Sequence, residues 1–124
     1  MKEDFIYYLW ENRLLSIDLK TTDDEEITIL SVGTRNHDSG ADYNNARIKI
    51  GGTLWAGQVE IHVRASDWFR HQHQYDGSYN NVILHVVYEN DTDMLKMPTL
   101  EIKDKFDISL FHNYNNVISI FQSK

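Results

Sequence analysis

Glu60 and His62 flank one isoleucine in the run Trp55-Ala56-Gly57-Gln58-Val59-Glu60-Ile61-His62-Val63. Alternate residues of an extended chain face opposite ways. Val59, Ile61 and Val63 therefore form an apolar row, and Glu60, His62 and Arg64 share the other face. Upstream, Gly40-Ala41-Asp42 opens a second strand, Ala46-Arg47-Ile48-Lys49-Ile50, and Gly51-Gly52 is a pair suited to turning it back onto the first. Such a hairpin carries an acid at the mouth of one strand toward an acid and an imidazole on its neighbour. Carboxylate oxygens suit a hard divalent cation, and an imidazole neutral near pH 7 can orient a water or accept its proton.

These residues need a scaffold. Glu3 to Leu15 has the stripe of an amphipathic helix, with Phe5, Ile6, Leu9, Trp10 and Leu14 on one side and two acids in the first turn, where the helix dipole favours them. Residues 26–32 read as a strand by their β-branched content, and 33–40 as a loop. Ser66 or Asp67 is a candidate N-cap for a short helix running through His73, which Asp76-Gly77 ends. Asn81 to Tyr88 is almost continuously apolar, the pattern of a strand covered on both faces. Residues 98–103 make a further short strand. Ile108 to Phe121 reads as a helix using Leu110, Tyr114, Val117 and Phe121, weakened by Asn115-Asn116. The order points to an α/β chain with a mixed central sheet and flanking helices.

One domain spanning residues 1–124 is expected from the length. The absence of cysteine rules out disulfides and thiolate ligands, and cytoplasm is the expected compartment. No apolar run approaches the roughly 20 residues of a membrane span, so no membrane association is expected, and the N-terminus lacks the pattern of a signal peptide. A net charge of -7 argues against coating nucleic acid by bulk electrostatics. The acidic excess lies in Asp23-Asp24-Glu25-Glu26 and in Glu89 to Asp93. Residues 33–73 are near neutral, with Arg35, Arg47, Lys49, Arg64 and Arg70 set against Asp38, Asp42, Glu60 and Asp67.

The run Trp55-x-Gly57-x-Val59-Glu60-Ile61-His62, followed by Ser66-Asp67-Trp68, His71 and Val82-Ile83-Leu84-His85-Val86-Val87, resembles a family of uncharacterised bacterial proteins carrying a domain of unknown function. Members of that family are longer, which implies that this chain corresponds to their N-terminal part. In pattern and element order the chain is also similar to the PD-(D/E)XK nuclease-like superfamily, whose core runs helix, three strands, helix, strand. That resemblance implies a restriction-endonuclease-like (αβββαβ) core. It further implies a catalytic set of Asp42, Glu60 and His62, with Asp42, Glu60 and the Ile61 carbonyl as ligands of Mg²⁺ or Mn²⁺. Arg47, Lys49 or Arg64 would meet substrate phosphate oxygens. Two positions depart from the superfamily pattern. His62 stands where Lys is usual, and Asp42 follows Ala41 rather than Pro.

Other readings compete for the same residues. His62 with His71, His73 or His85 could offer nitrogen ligands to Zn²⁺, but a helix through residues 66–73 separates His71 from His73, so zinc is the less expected ion. His85, inside an apolar strand, reads as a core histidine with a satisfied ring nitrogen. Glu101-Ile102-Lys103 is literally Glu-x-Lys, yet it reads as an ordinary edge-strand face. Trp55, Trp68, Tyr75 and Tyr79 could stack bases, although packing is the commoner use of aromatic residues. The expected function is a metal-dependent phosphodiesterase acting on nucleic acid. The alternative is a non-catalytic binding or assembly module that keeps the nuclease-like fold, with a second copy of the chain or another protein as partner.

Overall fold

A computed structural model describes the backbone of residues 1–122 and the side chains of residues 1–116. Helix α1 spans Glu3–Glu11 and buries Phe5, Ile6, Leu9 and Trp10. It stops short of the predicted Leu15 because Arg13 turns left-handed, with φ 54. The Arg13 guanidinium then donates to the carbonyls of Ile29 and Leu30 at 3.0 and 2.9 Å, a tertiary anchor that no local helix signal encodes. Leu14 and Leu15 leave the helix and still pack against the core.

The strands are β1 (Ile27–Ser31), β2 (Thr34–Arg35), β3 (Tyr43–Ile50), β4 (Thr53–Arg64), β5 (Val82–Glu89) and β6 (Thr99–Glu101). β2 lies within the expected loop, and β6 is shorter than the predicted 98–103. The sheet order is β1-β3-β4-β5-β6, with β2 paired to β3. β1, β3 and β4 are antiparallel, whereas β4-β5 and β5-β6 are parallel, so the sheet is mixed and the protein α/β. Ile50 pairs with Thr53 across Gly51 and Gly52, whose φ of 56 and 88 are the positive values that a two-residue hairpin turn demands. Helix α2 (Asp67–Arg70) and two 3-10 turns, His73–Tyr75 and Gly77–Tyr79, connect β4 to β5, and α3 (Ile108–Gln122) closes the chain. Of the row predicted for α3, Leu110 and Tyr114 pack against the core, while the side chains of Val117 and Phe121 lie outside the described residues.

The register separates the two faces of the sheet. Val59 pairs with Leu84 and Ile61 with Val86, and these join Tyr43, Ala46, Ile48 and Leu100 in one core under α1. Fully burying each Leu, Ile or Val contributes roughly 1.5–3 kcal/mol, which makes this layer the main source of stability. Trp10 is buried there too, and its ring N–H donates to the Val32 carbonyl at 3.0 Å. On the other face Glu60 pairs with His85 and His62 with Val87, and the α2 segment covers them. Trp68 lays its ring against His85 and His73, with centroids 5.3 and 5.2 Å away. The alternating pattern of β4 therefore does not mark a solvated face, for Val59, Glu60, Ile61 and His62 are all buried. β5 lies between β4 and β6, the interior position its apolar run implied. Among the described residues no helix is long and apolar enough to cross a membrane.

Candidate functional site

Asp42 immediately precedes β3, and because Tyr43 pairs with Val59 it stands opposite Glu60. Its backbone N–H donates to Glu60 Oε1 at 3.2 Å, and its own Oδ2 accepts from the Ile61 N–H at 2.8 Å. The carboxylate thus caps the edge of β4 where pairing with β3 runs out. The N–H and C=O of one strand residue point to the same edge, so the Ile61 carbonyl faces this gap as well. Asp42 Oδ1 accepts from the Tyr7 hydroxyl at 3.0 Å, and that hydroxyl lies 3.3 Å from Glu3 Oε1. The Arg35 guanidinium sits over the Tyr7 ring, 3.8 Å from its centroid.

Glu60 is only 3% exposed. Burial, and then the neighbouring Asp42 carboxylate, push its carboxyl up to about 10. Glu3 is also raised, first by burial and then by Asp42. Acids stacked in this way ask for a compensating positive charge.

The other oxygen of Glu60 faces imidazoles. Glu60 Oε2 lies 2.7 Å from His73 Nε2 and 3.6 Å from His62 Nε2. His62 Nε2 is 3.2 Å from His71 Nδ1, and its Nδ1 is 2.7 Å from His85 Nε2. One ring nitrogen from each of His62, His71 and His73 falls within 4.8 Å of the others, the spacing of atoms that could ligate one ion. Burial, reinforced by the neighbouring imidazoles, lowers His62 to about 4 and His85 to about 3, and His73 is lowered by burial and then by His71. All three are neutral near pH 7, with ring lone pairs to offer.

The placement of His71 and His73 corrects the sequence expectation. The predicted helix ends at Arg70, and Gln72 adopts the left-handed conformation, with φ 58. That one reversed residue turns the histidines on either side of it toward the sheet instead of spreading them around a helix. His73 is then stacked on Tyr79, with centroids 3.8 Å apart. His85 is fully buried, as its strand implied, and engages one ring nitrogen; its Nδ1 has no hydrogen-bond partner among the described residues.

The structure brings Asp42, Glu60, Ile61 and His62 together, but it does not bring all the basic candidates to them. Arg47 pairs with Ala56 and Lys49 with Leu54. At about 3.3 Å per residue, those positions lie roughly 13 and 20 Å along β4 from Glu60. Arg64 lies just beyond His62 on the same strand, exposed and paired in register with Glu89. Glu101 accepts from the Asn90 N–H at 2.7 Å in the edge strand, a structural use. Trp68 is buried, whereas Trp55 and Tyr75 are exposed and do not line the cluster. A cavity of about 540 Å³ opens beside His73, bounded by Trp68, Phe69, Tyr79, Met94 and Met97.

Glu3 and Tyr7 were missed by sequence reasoning. Their spacing of one helical turn beside the apolar stripe was the available signal, but nothing local says that this flank of α1 meets the start of β3.

The geometry defines an α/β protein with a mixed sheet and a buried carboxylate-imidazole cluster on one of its faces. The chain belongs to the DUF2851 family, described as proteins of unknown function, whose model matches residues 3–123. No curated protein and no solved structure matches it.

Proposed function

We propose that this protein is a metal-dependent phosphodiesterase acting on nucleic acid. The observation that carries the reading is the convergence of Asp42 and Glu60 from adjacent strands, joined by the 3.2 Å contact of the Asp42 N–H with Glu60 Oε1. The chain order supports it: α1, an antiparallel β1-β3-β4 unit, α2, then β5 parallel to β4. That order is consistent with the restriction-endonuclease-like core that the resemblance implies, with β2 as an addition.

The oxygen donors fit a hard cation such as Mg²⁺ or Mn²⁺, for Asp42, Glu60 and the Ile61 carbonyl face one gap. A bound divalent ion supplies Lewis acidity and a water of lowered pKa. The chain's own residues do the rest. Tyr7 and the Ile61 N–H fix the two oxygens of Asp42, so its carboxylate is oriented before any ligand arrives. His62, held neutral by burial, is the group able to orient a water or take its proton. The cavity beside His73 offers room for a nucleotide unit, and Arg64 is the nearest of the three basic candidates to meet a phosphate.

Labelled single- and double-stranded DNA and RNA, incubated with the protein and Mg²⁺ or Mn²⁺, test this reading. Cleavage is expected, abolished by EDTA and reduced at least 100-fold in Glu60→Gln. Turnover unchanged in Glu60→Gln overturns it. One observation favours the second reading, a non-catalytic binding module. The turn bearing His71 and His73 leaves Glu60 and His62 only 3% and 2% exposed. That reading gains if no substrate is cut with either metal and nucleic acid or a protein partner is still bound.

A further inference from the structure

We infer that Glu60, His62, His71 and His73 form a site for a single transition cation of the zinc class, and that His85 is a positioning residue for it. The site draws on the same Glu60 and His62 as the proposed hard-cation site but on the imidazole side of Glu60; a cation on His62 Nε2 takes that ring out of the role of base, and its binding does not depend on phosphodiesterase activity. Glu60 presents Oε1 to Asp42 and Oε2 to the histidines, so the imidazole side has a donor set of three nitrogens and one oxygen. Imidazole nitrogen selects zinc, cobalt or nickel over magnesium, which prefers oxygen and retains its waters.

The distances suit one ion. Zinc-nitrogen and zinc-oxygen bonds of about 2.0–2.1 Å place neighbouring tetrahedral ligand atoms roughly 3.3 Å apart. The spacings here are 3.2 Å for His62 to His71, 3.6 Å for His62 to Glu60 and 2.7 Å for His73 to Glu60. The three imidazole nitrogens lie within 4.8 Å of one another and Glu60 Oε2 is beside two of the rings, so side-chain rotations are needed to draw the set onto one ion.

Hydrogen bonding gives a second reason. Both nitrogens of His62 face other ring nitrogens, His85 Nε2 and His71 Nδ1. A cation on His62 Nε2 resolves this crowding, because the proton then resides on Nδ1 and is donated to His85 Nε2 at 2.7 Å. An outer partner on the free nitrogen is how a ligating histidine has its tautomer and ring plane fixed. His71 is exposed and gives the ion a way in, while Trp68 and Tyr79 hold the His73 ring from two sides. The ligands come from β4 and from the turn after α2, so the ion would clip the covering turn to the sheet.

The full chain, freed of metal with a chelator, is titrated with Co²⁺ and then with Zn²⁺, followed by visible absorption and calorimetry. One equivalent of Co²⁺ is expected, with the intense visible bands of tetrahedral coordination, displaced by one equivalent of Zn²⁺ and not by millimolar Mg²⁺. His71→Ala removes an exposed side chain, so the fold is retained, and it should weaken binding at least 10-fold; His73→Ala should do the same. His85→Ala should lower affinity 10- to 100-fold while leaving the Co²⁺ spectrum tetrahedral, with partial rescue in His85→Gln. His112→Ala, outside the cluster, should change nothing. Absence of binding, octahedral spectra, displacement by Mg²⁺, or affinity unchanged in both His71→Ala and His73→Ala overturns the inference. Because every readout is binding, loss of the nuclease reading leaves this result intact.

Discussion

Under α1, Val59, Ile61, Leu84 and Val86 meet Phe5, Ile6 and Leu9 with no polar side chain among them. Across the same strands, buried Glu60, His62 and His85 meet the buried rings of Trp68 and His73, with the exposed His71 at the rim. The first face gains free energy in proportion to the apolar area it removes from water. The second buries groups that must be desolvated, and each requires a partner in a fixed direction. One sheet thus keeps its apolar core on one side and its buried titratable groups on the other. Mutations should separate the two.

The largest effect is expected on the apolar side. Leu84→Ala, at a fully buried position, should cost about 2–5 kcal/mol by denaturant unfolding. On the polar side, His71→Ala should stay within about 0.5 kcal/mol of the wild type without metal, since it removes an exposed group. Equal losses in the two variants, both measured without metal, would erase the distinction between the faces.

A pH profile of the protein held free of metal by a chelator sharpens the contrast, because Glu60, His62 and His85, the groups shifted furthest within the working range, lie on the polar face. The folded state lowers His62 to about 4 and His85 to about 3, below the 6.5 of a free imidazole. As pH falls below 6.5 the unfolded chain takes up protons that these rings refuse, so stability falls. Glu60 acts in the opposite sense. Its folded pKa of about 10 exceeds the ordinary 4.5, so its contribution is fully present below 4.5 and is lost as pH rises toward 10. Between 4.5 and 6.5 the two histidines outweigh the one carboxyl, which puts the optimum near 6.5. Each limb changes by about 1.4 kcal/mol per pH unit at most. Urea midpoints from pH 5 to 9 check this, and Glu60→Gln should flatten the alkaline limb and steepen the acid one, where the carboxyl no longer offsets the two histidines. A profile without an optimum, or an alkaline limb unchanged in Glu60→Gln, means that Glu60 is not held protonated in the metal-free fold.

The sequence was most legible where one period governs many residues. The stripe Phe5, Ile6, Leu9, Trp10 announced α1, alternation marked β3 and β4, and the run from Val82 marked an interior β5. Asp42, Glu60 and His62 were legible as a group because a hairpin through Gly51-Gly52 has few registers. The rest turned on tertiary contacts or on single dihedral angles. β2 is two residues long and has no period to detect. α1 ends where Arg13 reaches the carbonyls of β1, a partner distant in sequence. The burial of Glu60 and His62 was not legible because the cover over them is supplied by a segment whose fold was itself misread.

That misreading concentrates in Gln72, which gives the smallest and most local test of how the polar face is made. At φ 58 a side chain other than glycine is strained by about 1 kcal/mol. Glycine adopts this conformation freely but has more entropy to lose on folding, so the two terms nearly offset. Gln72→Gly should therefore shift stability by less than about 1 kcal/mol and leave Co²⁺ affinity unchanged, since His71 and His73 keep their directions. Gln72→Val should behave differently, because a β-branched residue is a poor occupant of positive φ. It should drive the turn back toward regular backbone, costing about 1–2 kcal/mol and weakening Co²⁺ binding, while the α1 face keeps its unfolding cooperativity. If valine binds the ion as tightly as glycine does, the pairing of His71 with His73 does not depend on this reversal, and the polar face is held by its rings rather than by its backbone.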